Sequence, residues 1–142
     1  MSSQIQAQPR MLKELVIKSN PDNIYKVEEF IEDVRDSLNF KDDVYGNVMV
    51  AITEAVNNCI IHGNKGDSNK NVTILCEAKN PYRLLISVED EGTGFDPNGL
   101  PDPTAPENLE NPGGRGVFLM RHLADEIDFV NEGRRVEMVF NI

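Results

Sequence analysis

Two polar residues near the middle of the chain, Glu54 and Asn58, are four positions apart in a segment with helical periodicity. At the rise of an α-helix they would share one face, about 6 Å apart along the axis. They would lie at the edge of an apolar stripe, partly buried and directed at whatever packs beside the helix. An amide oxygen there can ligate Mg²⁺ without cancelling its charge, which leaves the ion free to hold phosphates. Taken alone, the pair also fits a solvated helix edge.

A second candidate is Asp90, which ends a run of alternating apolar residues at Leu84, Ile86 and Val88. Alternation places its carboxylate on the same face as those side chains, and we expect that face to be buried. A buried carboxylate needs a hydrogen-bond donor, and Gly92 and Gly94 allow backbone to approach a ligand closely. A polar strand end followed by a tight turn is the alternative interpretation.

A third candidate is the glycine-rich segment 113–116, Gly-Gly-Arg-Gly, which precedes a short apolar helix that begins at Val117. Bare N–H groups at a helix N-terminus form an anion site suited to phosphate. A flexible hinge before a core helix is the other possibility. The pattern excludes two common nucleotide motifs: Pro97 stands where a Rossmann fingerprint needs its third glycine, and no Walker Gly-Lys-Ser/Thr occurs.

Periodicity and turn residues predict the elements that must position these residues. Steps of three and four between apolar residues predict helices from Pro21 to Leu38 and over 42–62, with Gly63 as the stop. Short alternating or β-branched runs predict strands at 11–18, 71–79, 83–90, 126–131 and 134–141, of which the second and third form an antiparallel hairpin. A short helix is expected at 117–124. The segment 91–115 holds five glycines and five prolines, which is typical of a lid or binding loop.

Composition limits the class of protein. The chain has 142 residues, enough for one domain, and its net charge of −10 disfavours nucleic acid and anionic membrane surfaces as partners. Two isolated cysteines in apolar segments form neither a disulfide framework nor a zinc spacing, which favours a reducing cytosol. No run approaches 18 apolar residues, and residues 1–10 look like a flexible tail rather than a signal peptide. We therefore expect a cytoplasmic protein with no membrane span.

The order of these motifs along the chain is more specific than any one of them. This order resembles that of the GHKL, or Bergerat, ATP-binding family. It consists of a helix with Glu-x-x-x-Asn, a hairpin ending in Asp-x-Gly-x-Gly, a long Gly/Pro loop and Gly-x-Gly at a helix start. More closely, the chain resembles the anti-sigma-factor serine kinases of the RsbW and SpoIIAB type. The segments that carry the resemblance are 53–58 with 61–63, 89–95 and 113–120, and it covers about Leu12 to Ile142.

The resemblance implies a role for each motif residue. It makes Glu54 the general base and Asn58 the Mg²⁺ ligand. It assigns the adenine amino group to Asp90, the adjoining loop to Gly92 and Gly94, and ATP binding at the phosphate loop to Gly114, Arg115, Gly116 and Val117. Arg115 departs from the apolar or small residue expected there, and we interpret it as a phosphate contact, with a solvent-facing substitution as the alternative.

The implied fold is α/β (α+β), a two-layer sandwich with helices on one face of a mixed, mostly antiparallel sheet. After the tail at 1–10, residues 11–142 would form one ATP-binding kinase domain with a lid at about 96–112. The implied function is an ATP- and Mg²⁺-dependent serine/threonine kinase and anti-sigma factor. It would phosphorylate a STAS-type antagonist protein and bind a sigma factor, and it would form a homodimer.

Two alternatives remain at this stage. A nucleotide-gated binding module would switch partners without transferring phosphate, but such a module has no need of the base Glu54. A histidine-kinase catalytic domain would need a phosphoacceptor helix, for which we expect no room in 142 residues. ATP hydrolysis of the gyrase kind is disfavoured because no segment resembles a transducer domain.

Overall fold

The computed structural model describes residues 11–93 and 112–142. The expected tail, and the expected lid except for its last residue, lie outside these ranges. The strands are β1 (Met11–Lys18), β2 (Asn71–Asn80), β3 (Arg83–Glu89), β4 (Glu126–Val130) and β5 (Arg135–Asn141). The helices are α1 (Ile24–Leu38), which follows a 3₁₀ turn at Pro21–Asn23, α2 (Asp42–Asn58) and α3 (Pro112–Leu123).

The strands form one sheet in the order β1-β2-β3-β5-β4, so β3 is the central strand. Every pairing in the described part of the chain is antiparallel. Ile86 of β3 lies opposite Cys76 of β2 and Met138 of β5, which puts three apolar side chains on the same face. The predicted hairpin of the second and third strands is confirmed.

The helices cover one face of the sheet, and the core lies between the two layers. The inward residues of α1 and α2 recur every three or four positions, as their apolar stripes predict. The largest buried side chains come from both layers: Ile31, Ile52, Ile60, Ile74, Leu84, Ile86, Met120, Met138 and Phe140. The predicted two-layer α/β sandwich is confirmed.

One helical stretch among the described residues, Asp42–Gly63, is long and apolar enough to cross a membrane by length and composition alone. Its side facing the sheet is fully buried at Val48, Ala51 and Ile52. This is the arrangement of a core helix, whose apolar side is already covered by protein.

The C-terminal end of this stretch differs from the prediction of a regular helix up to residue 62. Beyond Asn58 the chain forms a π-helical turn, Cys59–Gly63, in which the Asn64 N–H donates to the Cys59 carbonyl at 2.7 Å. A π-turn inserts one extra residue per turn and is common at functional sites. The left-handed residues that reverse the chain are Lys65 and Gly66, with φ of 54° and 73°, rather than Gly63.

The glycine-rich segment also differs from the prediction. Helix α3 begins at Pro112, so Gly113, Gly114 and Gly116 lie in its first turns instead of in a loop before a helix at Val117. Proline is favoured at the first helical position because its fixed φ suits the helix and its missing N–H has no partner there. The proline therefore outweighs the helix-weakening effect of the three glycines.

Candidate functional site

Asp90 follows the last residue of β3 and is 7% exposed, on the face that alternation predicts. Its N–H donates to the Arg134 carbonyl at 2.9 Å. Its Oδ1 accepts the Gly92 N–H at 2.8 Å. Asp90 is thus held from two sides, by the pairing of its backbone with Arg134 and by the turn after it.

The electrostatics of Asp90 follow from this placement. Burial raises the pKa of the Asp90 carboxyl above its ordinary value. The Gly92 N–H, the Cys59 thiol and the nearby Arg134 charge all lower that pKa, and they offset the desolvation only in part. The pKa of the Cys59 thiol is raised well above its ordinary value, first by burial and then by the adjacent Asp90 charge.

Two glycines allow the backbone to pack directly onto this carboxylate. A Cβ at Gly63 would lie 2.1 Å from Asp90 Oδ2, and a Cβ at Gly92 would lie 1.9 Å from the Gly63 carbonyl oxygen. Neither position has a left-handed φ, so glycine is required here by close approach and not by backbone conformation. Gly63, which the sequence predicts as a helix stop and as the end of a segment that carries the resemblance, also packs against Asp90.

A cavity of about 230 Å³ opens above Asp90. Its walls are mostly apolar, with a few polar groups, as in small-molecule sites. The lining residues are Ala55, Asn58, Cys59, His62, Gly63, Val88, Asp90, Val117, Met120, Phe129, Gly133, Arg134 and Val136.

A second cluster lies next to the cavity, where α3 begins. A Cβ at Gly116 would be 3.0 Å from both Glu54 Oε2 and Asn58 Nδ2. Both side chains are half-buried, as expected for an edge of the apolar stripe. The fold therefore brings together Glu54, Asn58 and the glycine-rich segment, which are about 60 residues apart in the sequence.

The remaining predicted residues have separate placements. Val117 is buried and lines the cavity, and Arg115 is exposed on the first turns of α3. Gly114 lies in the same turns, and Gly94 lies outside the described residues.

The segment after Asp90 is anchored by Asn64, which sequence reasoning missed. Asn64 is 1% exposed; its Oδ1 accepts the Glu91 N–H at 2.9 Å, and its Nδ2 donates to the Asn71 carbonyl at 3.1 Å. Cys59 and Arg134 were missed as well. The only sequence signal for Cys59 is its position one residue after Asn58 in the helix, and Arg134 carries none.

The described residues offer few ligands for a divalent metal. Among residues 11–93 and 112–142 no group of three His, Cys, Asp or Glu side chains could hold one. The Asn58 amide beside the cavity is the kind of sparse ligand that Mg²⁺ uses when it is held mainly by phosphates. The donor set therefore fits a Mg²⁺ that arrives with its substrate.

Comparisons with known proteins agree with this geometry. The profile of a family described as a histidine kinase-like ATPase domain matches residues 17–140. The serine-protein kinase RsbW of Staphylococcus epidermidis is 31% identical over 97 residues, which cover 63% of this chain and 61% of that protein. RsbW of Bacillus cereus is 30% identical over 112 residues, which cover 74% of this chain and 69% of that protein.

A solved structure shares the fold. It contains the RsbU and RsbW domains of Rv1364c from Mycobacterium tuberculosis and superposes with a TM-score of 0.60, at 14% identity, over 93% of this chain and 32% of that one. At that identity the likeness supports the fold alone. Together with the family profile, these relatives show that the chain belongs to the histidine kinase-like ATPase domain family, in the branch of the serine-protein kinases called RsbW.

Proposed function

We propose that this protein is an ATP-dependent serine/threonine kinase that phosphorylates an anti-sigma-factor antagonist and binds a sigma factor. The observation that carries the proposal is the position of Asn58. Its side chain lines the cavity above Asp90 and lies close to Gly116 beside Glu54, where an added Cβ would be 3.0 Å from its Nδ2. A nucleotide whose base fills the cavity would therefore extend its phosphates toward a place where a carboxylate, an amide and a glycine-rich helix start meet.

Asp90 would recognise the base. Its carboxylate accepts hydrogen bonds only, so it selects a ring that presents a donor, such as the adenine amino group. The apolar walls formed by Val88, Val117 and Met120 would enclose the ring faces. Gly92 belongs to the turn that supports this carboxylate, and Gly94 would continue the same loop.

The first turns of α3 would hold the phosphates. Gly114 and Gly116 have no side chain to keep a phosphate from the backbone there, and the N–H groups at a helix start favour an anion. Arg115 would add a phosphate contact through its guanidinium. Asn58 would hold Mg²⁺, which neutralises phosphate charge in phosphoryl transfer.

Glu54 would act as the general base. Its carboxylate takes the proton from the serine or threonine hydroxyl of the antagonist while that oxygen attacks the γ-phosphorus. The bond from the γ-phosphorus to the bridging oxygen breaks, ADP leaves, and the proton remains on Glu54 until solvent removes it. This role requires Glu54 near the phosphate end, and the closeness of its carboxylate to Gly116 supports that placement.

The partners come from the relatives. The RsbW proteins are named serine-protein kinases, which supports a hydroxyl acceptor on another protein. We further propose that its substrate is a STAS-type antagonist and that it holds a sigma factor in the ATP-bound state. The protein would be a cytoplasmic homodimer. Its residues 11–142 would form one domain, with a lid at about 96–112 and a tail at 1–10.

The test uses Glu54→Ala, with Glu32→Ala on the exposed side of α1 as the matched control. Partners are captured from the native lysate with Mg²⁺-ATP and again with ADP, and phosphates on them are mapped by mass spectrometry. We expect phosphoserine or phosphothreonine on a partner with the wild type and the control, and none with Glu54→Ala, which still binds ATP.

The outcomes separate the two function classes. A partner exchanged between ATP and ADP with no phosphate on it would mean that the fold is a binding switch, and the kinase assignment would be dropped. Equal loss of ATP binding and transfer in Glu54→Ala would remove the role of base from that residue.

A further inference from the structure

Arg134 lies in the wall of the cavity together with Asp90, and the proposed phosphoryl transfer makes no use of it. Its carbonyl accepts the Asp90 N–H at 2.9 Å, so the two residues are joined through their backbones at the end of β3. An ionised Asp side chain offers only hydrogen-bond acceptors, and an Arg side chain offers only donors. The cavity wall therefore combines an acceptor and a donor on neighbouring residues.

The turn before Arg134 has an unusual backbone. Three successive residues, Asn131, Glu132 and Gly133, have left-handed φ angles of 53°, 60° and 85°. This conformation is unfavourable for residues other than glycine, and such strain is often kept at functional sites. Asn131 Nδ2 also donates to Glu89 Oε2 at 2.8 Å, which ties the turn to the strand that Asp90 follows.

The same turn fixes the guanidinium of Arg134. The backbone N–H and the Nε of Arg134 both donate to the Asn131 carbonyl, at 3.2 and 3.1 Å. Within the described part of the chain, the Nη groups make only a long ion pair, 3.9 Å from Glu132 Oε2, and the Glu132 side chain is 79% exposed. An exposed pair of this length contributes little to stability. The Nε is thus occupied, while the Nη groups keep donors for a ligand.

From this arrangement we infer that Arg134 binds the base directly, through a hydrogen bond from its guanidinium to a ring nitrogen beside the amino group that Asp90 accepts. The inference rests on the proposed nucleotide function and extends it to the choice of base. Adenine offers such a donor and acceptor side by side on two edges, because N1 and N7 each lie next to its amino group. A base with no acceptor beside its amino group would leave the guanidinium without its partner and would bind more weakly.

The fixed position of the guanidinium favours this role. A long side chain loses rotamer freedom when it binds a ligand, and this cost is smaller when the side chain is already held. The bond from Nε to the Asn131 carbonyl holds Arg134 in this way before any ligand arrives.

The ligand side of the contact is tested on the unaltered protein. Dissociation constants of ATP, 1-deaza-ATP and 7-deaza-ATP are measured by calorimetry, since each analogue lacks one of the two ring nitrogens. We expect at least one analogue to bind about threefold to tenfold more weakly than ATP, which is the effect of one hydrogen bond at a partly exposed group. A misfolded variant cannot mimic this result.

The protein side is tested with Arg134→Leu, which removes the donors and keeps an apolar stem. Arg135→Leu is the matched control, because Arg135 forms an ion pair with Glu137 at 3.2 Å and does not line the cavity. Arg134→Leu should bind ATP and the sensitive analogue equally, both about threefold to tenfold more weakly than the wild type binds ATP. The same factor should appear with adenosine, which has no phosphate. Arg135→Leu should keep the preference of the wild type.

The other outcomes overturn the inference in distinguishable ways. If the wild type binds both analogues as tightly as ATP, Arg134 does not contact a ring nitrogen. A loss in Arg134→Leu with ATP but not with adenosine would mean that the guanidinium acts on the phosphates. If Arg134→Leu still prefers ATP to the sensitive analogue, its effect is only structural. If the wild type binds neither ATP nor adenosine, the proposed nucleotide function fails as well, whereas ATP binding without a ring preference leaves that function standing.

Discussion

The contact between Gly63 and Asp90 gives the sharpest prediction for the proposed base site. In Gly63→Ala the added methyl would lie 2.1 Å from Asp90 Oδ2 and 2.4 Å from its Cγ, far inside the contact distance of roughly 3.5 Å. The carboxyl group cannot rotate away freely, because Gly92 holds its other oxygen. Either Asp90 or the π-turn must move by about 1 Å, and both line the cavity.

The magnitude follows from what is displaced. A hydrogen bond to a charged acceptor contributes about 1.5–3 kcal/mol, so loss of the base contact should weaken ATP binding by roughly tenfold to a hundredfold. Overpacking costs about 1–3 kcal/mol of unfolding free energy, and the better helix propensity of alanine returns up to about 1 kcal/mol. The fold should therefore survive with a modestly lower Tm.

Gly46→Ala is the matched control, because Gly46 lies on the same helix and a Cβ there would meet nothing within 4 Å. It should leave ATP binding unchanged and raise Tm by a few degrees, since alanine is the better helix former. The assays are calorimetric titration with ATP and thermal unfolding. If Gly63→Ala binds ATP within twofold of the wild type and its Tm is unchanged, the close approach of Gly63 to Asp90 is refuted.

Three further predictions concern neighbouring residues. Because folding raises the pKa of Asp90, its ionised form lowers the free energy of unfolding at neutral pH, and this loss is relieved as pH falls. Asp90→Asn should therefore raise the Tm of the nucleotide-free protein at pH 7 but not in acid, and it should abolish stabilisation by ATP. A lower Tm at pH 7 would contradict the upward direction of the pKa shift. Gly116→Ala should lower the rate of phosphate transfer about tenfold or more, because its methyl would lie 3.0 Å from Glu54 and Asn58. Adenosine binding should stay near that of the wild type. Equal losses of phosphate transfer and adenosine binding would mean that the substitution does not act at the phosphate end. Asn64→Ala should cost roughly 1–3 kcal/mol in urea unfolding, since it removes two partly buried hydrogen bonds, to the Glu91 N–H and to the Asn71 carbonyl. An unchanged midpoint would show that water replaces the side chain.

The elements of the fold follow from periodicity in the sequence. Alternation in 71–79 and 83–90 predicts the central hairpin because one face of each strand is buried. The apolar stripe of α2 likewise predicts which side faces the sheet. The strand order could not be predicted, because the insertion of β5 between β3 and β4 depends on long-range pairing that no local pattern encodes.

The site could be predicted only where its residues form short motifs. Spacing and resemblance predict Glu54, Asn58 and Asp90, and the structure places Asn58 and Asp90 in the wall of one cavity, with Glu54 near Asn58 beside Gly116. Cys59 and Gly63 were missed as site residues because their importance arises from a π-turn, which a pattern of period 3.6 does not reveal. The early start of α3 was missed because three glycines are typical of a loop, while the effect of Pro112 depends on its position at the helix start.

The position of β3 at the centre of the sheet has a consequence for motion. Hydrogen exchange of backbone amides occurs through local opening, which is easiest at edges and hardest in the centre of a sheet. The Asp90 amide is paired with the Arg134 carbonyl at the end of this central strand. We therefore expect the amide of the residue proposed to select the base to exchange more slowly than the amides of the edge strands β1 and β4.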